Sequence, residues 1–303
     1  MSSIRIVGGS ANPPLTDAVI AHLDGRAGQC RLDRSADGER RVAVADVAGA
    51  DVYVLQPTAP PVADHTMELL LLLDACRRAA ARRITAVVPY FGYARQDRRT
   101  VAGEAIASRV AVEAIAGAGA DRMIVVDPHN PTLEAICPMP VEVLTAVPLL
   151  ARELAPALIG RGVAVAPDLA AAERAEHFAS MARAAVAVVR KHRESETSVE
   201  ALELLGDVSG HPVALVDDMI CTGATIEAAA RLVRYHADGM VAAATHGPLV
   251  AGAVARLHEL GLHRIVVTDS VLHHEDTGQI DVCSIAPLLA AAITRLHRDH
   301  GAE

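Results

Sequence analysis

Aromatic residues are nearly absent from this chain. They make up 2% of its 303 residues, and there is no tryptophan. Alanine, valine and leucine must therefore fill the interior of a chain that is 51% hydrophobic, which is ample for large cores. Small aliphatic cores suit an architecture in which strands and helices alternate. The length suggests two domains rather than one.

Positive charge is also scarce, with 28 Lys and Arg residues against 37 Asp and Glu residues and a net charge of −9. This balance argues against nucleic acid as a partner, so any anionic ligand must be bound by local basic residues. A long hydrophobic run is missing too. The apolar segment Leu69–Leu73 is too short to span a bilayer, and we expect a buried helix there and no membrane association.

The five cysteines are scattered, and no Cys-x-x-Cys pair occurs. Their spacing argues against a zinc knuckle and against a disulfide framework, and it fits a reducing cytosol. The first residues show no apolar region typical of a signal peptide. We therefore predict a cytoplasmic protein.

Short β-branched runs alternate with longer Ala- and Leu-rich periodic stretches. This alternation predicts an α/β fold with two similar domains, each a mainly parallel sheet covered by helices on both faces. The predicted strands are Ile4–Gly8, Val42–Ala45, Asp51–Leu55, Ile84–Val88, Met123–Val126, Val163–Ala166, Ala185–Val189, Val213–Val216, Met240–Ala244 and Arg264–Thr268. The predicted helices are Leu15–Leu23, His65–Ala80, Ala105–Ala116, Ala146–Leu154, Leu169–Met181, Thr225–Tyr235, Gly252–Leu260 and Ile285–His297.

The alternation runs twice along the chain, and the boundary falls where Pro148 and Pro156 interrupt a helical stretch. We predict an N-terminal domain over residues 1–147 and a C-terminal domain over residues 148–284. The last helix, at about 285–303, is a candidate for packing back on the first domain.

The most specific motif runs from Ala214 to Thr225, where an apolar stretch ends in Asp217 and Asp218 and a Thr-Gly-Ala-Thr turn opens a helical pattern. Backbone N–H groups of such a loop and helix start bind phosphate, and threonine hydroxyls can add donors. The two carboxylates can accept hydrogen bonds from the vicinal hydroxyls of a pentose. We predict a sugar-phosphate site of the kind found in type I phosphoribosyltransferases, which this motif resembles. The alternative is an ordinary strand–turn–helix with a capped helix start. It would not explain two adjacent aspartates at a buried strand end, where burying a carboxylate costs free energy.

A second motif, Val88–Thr100, follows a strand and places Arg95, Arg98 and Arg99 just after three aromatic residues. Guanidinium groups bind phosphate in a bidentate manner, so this segment is a candidate anion site. The alternative is a solvated charged turn.

Two further segments carry candidate residues. Lys191 and Arg193 would face the same side of an extended chain, within a polar stretch that predicts either a mobile loop or an exposed charged hairpin. His129 follows a strand, in a turn that two prolines restrict, and its position favours a ligand role about as much as a structural one.

These motifs together resemble the ribose-phosphate diphosphokinase family over nearly the whole chain. The matching segments, in the family's order and spacing, are Asp37-Gly38-Glu39, Tyr90–Arg99, Val126–His129, Ala166–Asp168, Lys191–Arg193, Asp217–Thr225 and Ala244–His246. The resemblance implies two similar α/β domains and a homo-oligomer, either a dimer or a hexamer. It also implies synthesis of phosphoribosyl pyrophosphate (PRPP), for nucleotide biosynthesis, from Mg-ATP and ribose 5-phosphate. Two short segments, at Asp127–His129 and Glu173–Ala175, look more like archaeal-type members.

The resemblance also implies a role for each site residue, with residues 1–147 on the ATP side and residues 148–284 binding ribose 5-phosphate. Arg95, Gln96 and Arg98 would contact ATP, Asp37 and Glu39 would hold its base end from a neighbouring subunit, and His129 and Asp168 would coordinate Mg²⁺. Lys191 and Arg193 would close over the transferred group and be catalytic. Asp217 and Asp218 would bind the ribose hydroxyls, and Cys221, Thr222, Gly223, Ala224 and Thr225 the 5-phosphate.

The chain departs from the family pattern at four places. Ser35 replaces an aromatic residue that stacks on adenine, Leu169–Ala171 replaces a Gly-Gly pair, Ala224 replaces a loop glycine, and Glu194 replaces an uncharged residue. These changes affect nucleotide selectivity and pyrophosphate geometry. Two alternatives stay open: a non-catalytic regulatory paralogue of the same fold, and a phosphoribosyltransferase that consumes PRPP.

Overall fold

The protein is described by a computed structural model that covers residues 3–23, 26–158, 160–192, 201–250, 252–273 and 280–300. The chain forms two compact units. The first unit contains the residues up to Leu144, together with Ser270–Leu272 and the chain from Ser284 onward. The second unit contains Thr145–Asp269 and His273–Cys283. Within the described residues, no helix has the length and apolar character needed to cross a membrane.

Strands and helices alternate along the described chain. The strands are β1 (Ile4–Gly8), β2 (Arg26–Ala27), β3 (Gln29–Arg34), β4 (Arg40–Ala45), β5 (Asp51–Leu55), β6 (Arg83–Val88), β7 (Arg122–Val126), β8 (Val141–Leu144), β9 (Val163–Ala166), β10 (Ala185–His192), β11 (Ala201–Leu205), β12 (Val213–Met219), β13 (Met240–His246), β14 (Leu262–Thr268) and β15 (Ile280–Cys283). The α-helices are α1 (Pro13–Leu23), α2 (Val62–Arg78), α3 (Ala107–Ala118), α4 (Thr132–Ile136), α5 (Val147–Leu154), α6 (Ala172–Ala182), α7 (Ala224–Val233), α8 (Ala253–His258) and α9 (Ala286–His300). A short 3-10 helix, Ala155–Leu158, follows α5.

The first unit is built on a six-stranded parallel sheet in the order β2-β1-β5-β6-β7-β8. All five residues of β5 are buried, as expected for a parallel strand covered on both faces. Beside this sheet, β3 and β4 form a two-stranded antiparallel hairpin. The carboxyl ends of β1, β5, β6 and β7 lie at the same edge of the sheet, where ligands of such folds bind.

The C-terminal helix α9 belongs to the first unit. The Tyr53 hydroxyl donates to the carbonyl oxygen of Ile293 at 3.4 Å, and His297 Nδ1 lies 3.0 Å from Asp51 Oδ2. Burial is the main reason that the pKa of Tyr53 is raised to about 12. These contacts join α9 to β5, and Tyr53 and Ile293 are 240 residues apart in the sequence.

The second unit is built on a seven-stranded sheet in the order β11-β10-β9-β12-β13-β14-β15. The β10–β11 pair is antiparallel, and the other pairs are parallel. Small aliphatic side chains fill its interior, with the fully buried Phe178 of α6 as the largest. The predicted α/β fold with two helix-covered, mainly parallel sheets is therefore confirmed.

Each predicted strand and helix is present, with ends that differ by a few residues. The sequence analysis missed β2, β3, β8, β11, β15 and α4. These elements are short, or they lie at sheet edges or in the hairpin, where polar residues alternate with few apolar ones. Two predicted boundaries are wrong near the site: β12 continues through Asp217 and Asp218 to Met219, and α6 begins at Ala172 rather than at Leu169.

Candidate functional site

The two adjacent carboxylates of the second unit lie inside strand β12. Asp217 is 9% exposed and Asp218 is 4% exposed. Each carboxylate accepts a hydrogen bond from the next backbone N–H, at 2.8 Å in both cases. Burial first, and the charge of Asp218 second, raise the pKa of Asp217 well above its ordinary value, while Arg174 opposes the shift. The structure therefore places two adjacent buried carboxyl groups at the carboxyl end of β12.

The loop after these carboxylates is anchored at its ends. Ile220 N–H donates to the His246 carbonyl oxygen at 2.8 Å, and Val250 N–H donates to the Cys221 carbonyl oxygen at 3.0 Å. Gly223 has φ 78°, a left-handed conformation that favours glycine, and helix α7 begins just after it. The sharp turn into the helix therefore depends on this glycine.

The surface of this loop carries the remaining predicted phosphate-binding residues. Thr222, Ala224 and Thr225 are exposed, and Cys221 is half-buried. Thr222 Oγ1 accepts a hydrogen bond from Ala224 N–H at 3.3 Å. Because the first N–H groups of a helix have no partner inside the helix, the start of α7 offers donors to an anion. The structure thus brings together the buried carboxylates and an exposed phosphate-type loop.

Asp168 follows β9, which is the parallel neighbour of β12. Its Oδ1 accepts a hydrogen bond from Ala171 N–H at 3.0 Å and closes the turn that leads into α6. This bond explains why α6 starts after residues 169–171, which the sequence analysis placed inside the helix. One carboxylate oxygen of Asp168 has a structural role, and Oδ2 has no partner among the described residues.

The predicted mobile loop is wrong for its first residues, because Arg190, Lys191 and His192 belong to β10. Lys191 pairs with Leu202 of β11, and Arg190 forms an exposed ion pair with Glu203 at 2.6 Å. Alternating leucines in β11 supply the apolar side of this antiparallel pair. The charged-hairpin alternative therefore fits these residues. Arg193 and Glu194 lie outside the described residues.

The arginine-rich segment of the first unit connects β6 with α3. Tyr90 and Phe91 are buried, whereas Arg95, Gln96 and Arg98 are exposed. Gly92 fits against the chain at Thr58, whose Oγ1 accepts the Gly92 N–H at 2.6 Å; a Cβ there would lie 2.6 Å from the Thr58 carbonyl oxygen. The aromatic residues thus fix the start of the segment, and its cationic part faces solvent.

His129 lies in the turn after β7, the parallel neighbour of β6. It is exposed, and Asp127, two residues before it, has a left-handed φ of 37°. The carboxamide of Asn130 links this turn to the arginine-rich segment, because Nδ2 donates to Asp97 Oδ2. The structure therefore brings His129 and the Arg95–Arg98 segment to one edge of the first sheet.

Asp37 and Glu39 are exposed at the turn of the β3–β4 hairpin, which the sequence analysis only half recognised. Glu39 N–H donates to Asp37 Oδ1 at 3.2 Å, and Ser35 N–H donates to the Glu39 carbonyl oxygen at 2.8 Å. Where β4 begins after this turn, Arg40 forms ion pairs with Asp64 of α2, at 2.7 Å, and with the fully buried Glu68.

This buried ion pair belongs to a network that the sequence analysis missed. Glu68 accepts hydrogen bonds from Ser10 N–H at 2.6 Å and from Gln56 Nε2 at 2.9 Å. A signal for it exists: Glu68 stands at a helical position otherwise surrounded by leucines, and a glutamate buried among apolar residues needs partners.

The described residues contain no group of three His, Cys, Asp or Glu side chains that could hold a metal ion. His129 belongs to the first unit and Asp168 to the second. The structure describes these two predicted metal ligands separately, each at the carboxyl end of a parallel strand.

The chain matches known proteins over almost its full length. A family model described as the N-terminal domain of ribose phosphate pyrophosphokinase matches residues 4–119, and one described as a phosphoribosyl synthetase-associated domain matches residues 196–302. Ribose-phosphate pyrophosphokinase from Gloeobacter violaceus is 39% identical over 301 residues, which cover 98% of this chain and 91% of the relative. The chloroplastic ribose-phosphate pyrophosphokinase 2 of Oryza sativa is 38% identical and covers 98% of this chain and 76% of the relative.

A solved structure gives the same result. The crystal structure of phosphoribosylpyrophosphate synthetase from Mycobacterium smegmatis has a TM-score of 0.90 and 35% identity, covering 98% of this chain and 100% of that chain. The archaeal-type features predicted from two short segments are not supported, since these relatives are bacterial and plant proteins. Three-residue segments carry too little information to place a chain on one branch. The chain belongs to the ribose-phosphate pyrophosphokinase family, which is the ribose-phosphate diphosphokinase family under its other name.

Proposed function

We propose that the protein is a ribose-phosphate pyrophosphokinase that transfers pyrophosphate from Mg-ATP to the C1 hydroxyl of ribose 5-phosphate, giving PRPP and AMP. The hydroxyl oxygen attacks the β-phosphorus of ATP, and the bond from that phosphorus to the α–β bridging oxygen breaks. The observation that carries the proposal is the buried Asp217–Asp218 pair beside an exposed phosphate-type loop, in a chain related to this family over its full length.

Ribose 5-phosphate is proposed to bind the second unit. Asp217 and Asp218 accept hydrogen bonds from the vicinal ribose hydroxyls, and their burial makes those hydrogen bonds strong. The 5-phosphate takes the N–H groups at the start of α7 together with the hydroxyls of Thr222 and Thr225, and Cys221, Gly223 and Ala224 supply the backbone of the loop. The charged form of Asp217 is disfavoured by burial, so this carboxylate serves binding at the expense of stability.

ATP is proposed to bind the first unit through the exposed side chains Arg95, Gln96 and Arg98, which follow β6. Guanidinium groups match phosphate geometry. Asp37 and Glu39, at the exposed turn of the β3–β4 hairpin, are proposed to hold the base end of ATP bound to a neighbouring subunit. The functional protein is then a homo-oligomer, a dimer or a hexamer, with residues 1–147 as the ATP-side domain and 148–284 as the ribose-5-phosphate domain.

Magnesium is proposed as the cofactor, with His129 and Asp168 as its protein ligands. Asp168 fits this ion, because Mg²⁺ keeps several waters and is bound by one or two carboxylates plus substrate phosphates, without a closed protein cage. His129 is assigned to the ion by the family resemblance. Asp168 Oδ2 is available for this role, while Oδ1 holds the turn before α6. When bound, the ion neutralises charge on the phosphates.

Lys191 and Arg193 are the proposed catalytic cations. Phosphoryl transfer depends mostly on positioning and on charge stabilisation, so cations beside the transferred group act chiefly in the transition state. Lys191 sits near the end of β10, where the backbone is paired with β11. A cytoplasmic location is also part of the proposal.

The proposal is tested with the purified protein, Mg²⁺, ATP and ribose 5-phosphate, by following AMP and PRPP. We expect AMP to form only when both substrates are present, in equal amount to PRPP. Release of pyrophosphate from added PRPP and a nucleobase would instead indicate a phosphoribosyltransferase. Binding of ATP and ribose 5-phosphate without any product would indicate a non-catalytic paralogue.

A further inference from the structure

One side-chain hydrogen bond connects the two ligand-bearing loops of the first unit. Asp97 lies between the exposed residues Gln96 and Arg98, yet Asp97 itself is half-buried. Its Oδ2 accepts a hydrogen bond from Nδ2 of Asn130, the residue that follows His129. The bond spans 33 residues of sequence and joins the carboxyl ends of two neighbouring parallel strands, β6 and β7.

The other end of the Asn130 carboxamide fixes its orientation. Asn130 Oδ1 accepts the backbone N–H of Thr132 at 2.9 Å and also the Thr132 hydroxyl. A backbone N–H needs an acceptor, so the oxygen of the carboxamide must face Thr132 and its nitrogen must face Asp97. Asn130 therefore shapes the turn after His129 and reaches the arginine-rich segment at the same time.

We propose that Asn130 and Asp97 are positioning residues for the Mg-ATP half of the site, an inference that rests on the proposed function. The segment between β6 and α3 runs from residue 89 to 106, and its cationic side chains are exposed. The Gln96 carbonyl oxygen already accepts hydrogen bonds from the N–H and the hydroxyl of Ser108, both at 3.2 Å. The Asp97–Asn130 bond adds a second attachment, to the loop after β7, and so restricts the connection further before ATP binds. It also directs the Asp97 carboxylate at Asn130.

Four variants change the donor or the acceptor of the hydrogen bond between Asn130 and Asp97, which we call the bridge. Asn130→Asp keeps the acceptor for Thr132 but sets two carboxylates against each other, and Asp97→Ala removes the acceptor. Asp97→Asn keeps a neutral acceptor, and Asn130→Asp combined with Asp97→Asn reverses donor and acceptor across the same gap. We expect the first two to raise the KM for Mg-ATP at least tenfold, with the KM for ribose 5-phosphate within twofold. Asp97→Asn and the double variant should stay within threefold of the wild type.

Thr132→Val is the matched control, because it removes a hydroxyl contact to Asn130 but keeps the backbone N–H and the bridge. Its KM for Mg-ATP should change less than twofold. An unchanged KM in Asp97→Ala would overturn the inference. So would an Asp97→Asn variant as impaired as Asp97→Ala, since the carboxylate itself, and not the bridge, would then be required.

The same set of variants separates this inference from the proposed function. Wild-type protein that forms no AMP with both substrates refutes the proposed function. The bridge is then judged by calorimetric titration of each variant with Mg-ATP, where affinity should fall in Asp97→Ala and recover in the double variant. If Asn130→Asp alone does not fold, Asp97→Ala and the double variant still decide the outcome. Equal affinities in these variants would exclude a positioning role.

Discussion

The two units share an architecture but differ at the carboxyl ends of their strands. In the second unit, the chain after β12 is a short loop in which Ile220 is buried, Cys221 is half-buried and Thr222 is exposed. In the first unit, the ends of β1 and β5 are filled by the unit's own side chains, Gln56 and Glu68, both fully buried. A Cβ on Gly9 would lie 2.1 Å from Gln56 Oε1.

This difference shows what decides where a ligand binds on a repeated fold. The topology places a crevice at the ends of parallel strands in both units. In the first unit, Ser10, Gln56 and Glu68 form hydrogen bonds with one another there, so these side chains occupy the crevice. The candidate ligand residues of that unit lie farther along the sheet instead, after β6 and β7.

The largest effect is expected from breaking the network that fills the first unit. Arg40→Met leaves the buried Glu68 carboxylate without its cation, and we expect a loss of about 3 kcal/mol in the free energy of unfolding. Unfolding of the first unit is measured as the labelling of the buried Cys76 thiol at increasing urea concentration. Arg34→Met is the matched control, since Arg34 is half-exposed and contacts only the Asp64 part of the cluster. A loss no greater than that of the control would show that the network does not hold the unit together.

A matched pair of glycine substitutions compares the two strand ends directly. Gly9→Ala must displace Gln56 and its hydrogen bonds, at a cost of about 2 kcal/mol, without affecting ribose 5-phosphate binding. Gly223→Ala places alanine at φ 78° and should cost about 1 kcal/mol while weakening ribose 5-phosphate binding. Urea unfolding and calorimetric titration check both effects. Equal losses of ribose 5-phosphate affinity in the two variants would contradict the placement of its site in the second unit alone.

Asp217→Asn should separate stability from binding. Because the pKa of Asp217 is raised in the folded protein, its contribution to stability is complete below about pH 4 and is lost as pH rises through the raised pKa. The variant should therefore be more stable than the wild type near pH 8, with the difference shrinking toward pH 4. It should also bind ribose 5-phosphate at least tenfold more weakly.

Asp207→Asn is the control, because the backbone N–H of Ser209 lowers the pKa of that exposed carboxyl in the same unit. It should gain no stability as pH rises. A wild type that is more stable than Asp217→Asn at pH 8 would mean that the buried carboxylate is not strained by its surroundings.

The smallest perturbation is chemical labelling of the open loop. Burial is the main reason that the pKa of Cys76 is raised to about 12 and that the pKa values of Cys30 and Cys283 are raised to about 11. Because the thiolate is the reactive form, these three thiols should react slowly. Cys221 lies half-buried in the loop before Thr222, and we expect iodoacetamide to modify it first at pH 8. Ribose 5-phosphate should slow this reaction about tenfold, and ATP alone should not. Fast labelling that ribose 5-phosphate leaves unchanged would place the 5-phosphate elsewhere.

The sequence predicts the second unit's site better than the first unit's. The apolar run, the carboxylates and the glycine loop are consecutive, so local pattern alone locates them. The network of Ser10, Arg40, Gln56 and Glu68 joins four separate segments, and its partners become evident only when strands pair. The Asn130–Asp97 bond was missed for the same reason. Strands such as β15, which has four residues and no buried one, depend on pairing with their neighbours rather than on their own composition.

The placement of α9 has a consequence for the order of folding. The first unit is interrupted in sequence by the second, and its β5 contacts the C-terminal helix through Tyr53 and Asp51. During synthesis, the second unit is therefore complete before the first, because Ala286–His300 follows it in the sequence. Chains usually fold from the N-terminal domain onward as they leave the ribosome. Here β5 is synthesised well before α9, so the first unit cannot complete its packing until the second unit and α9 have been made.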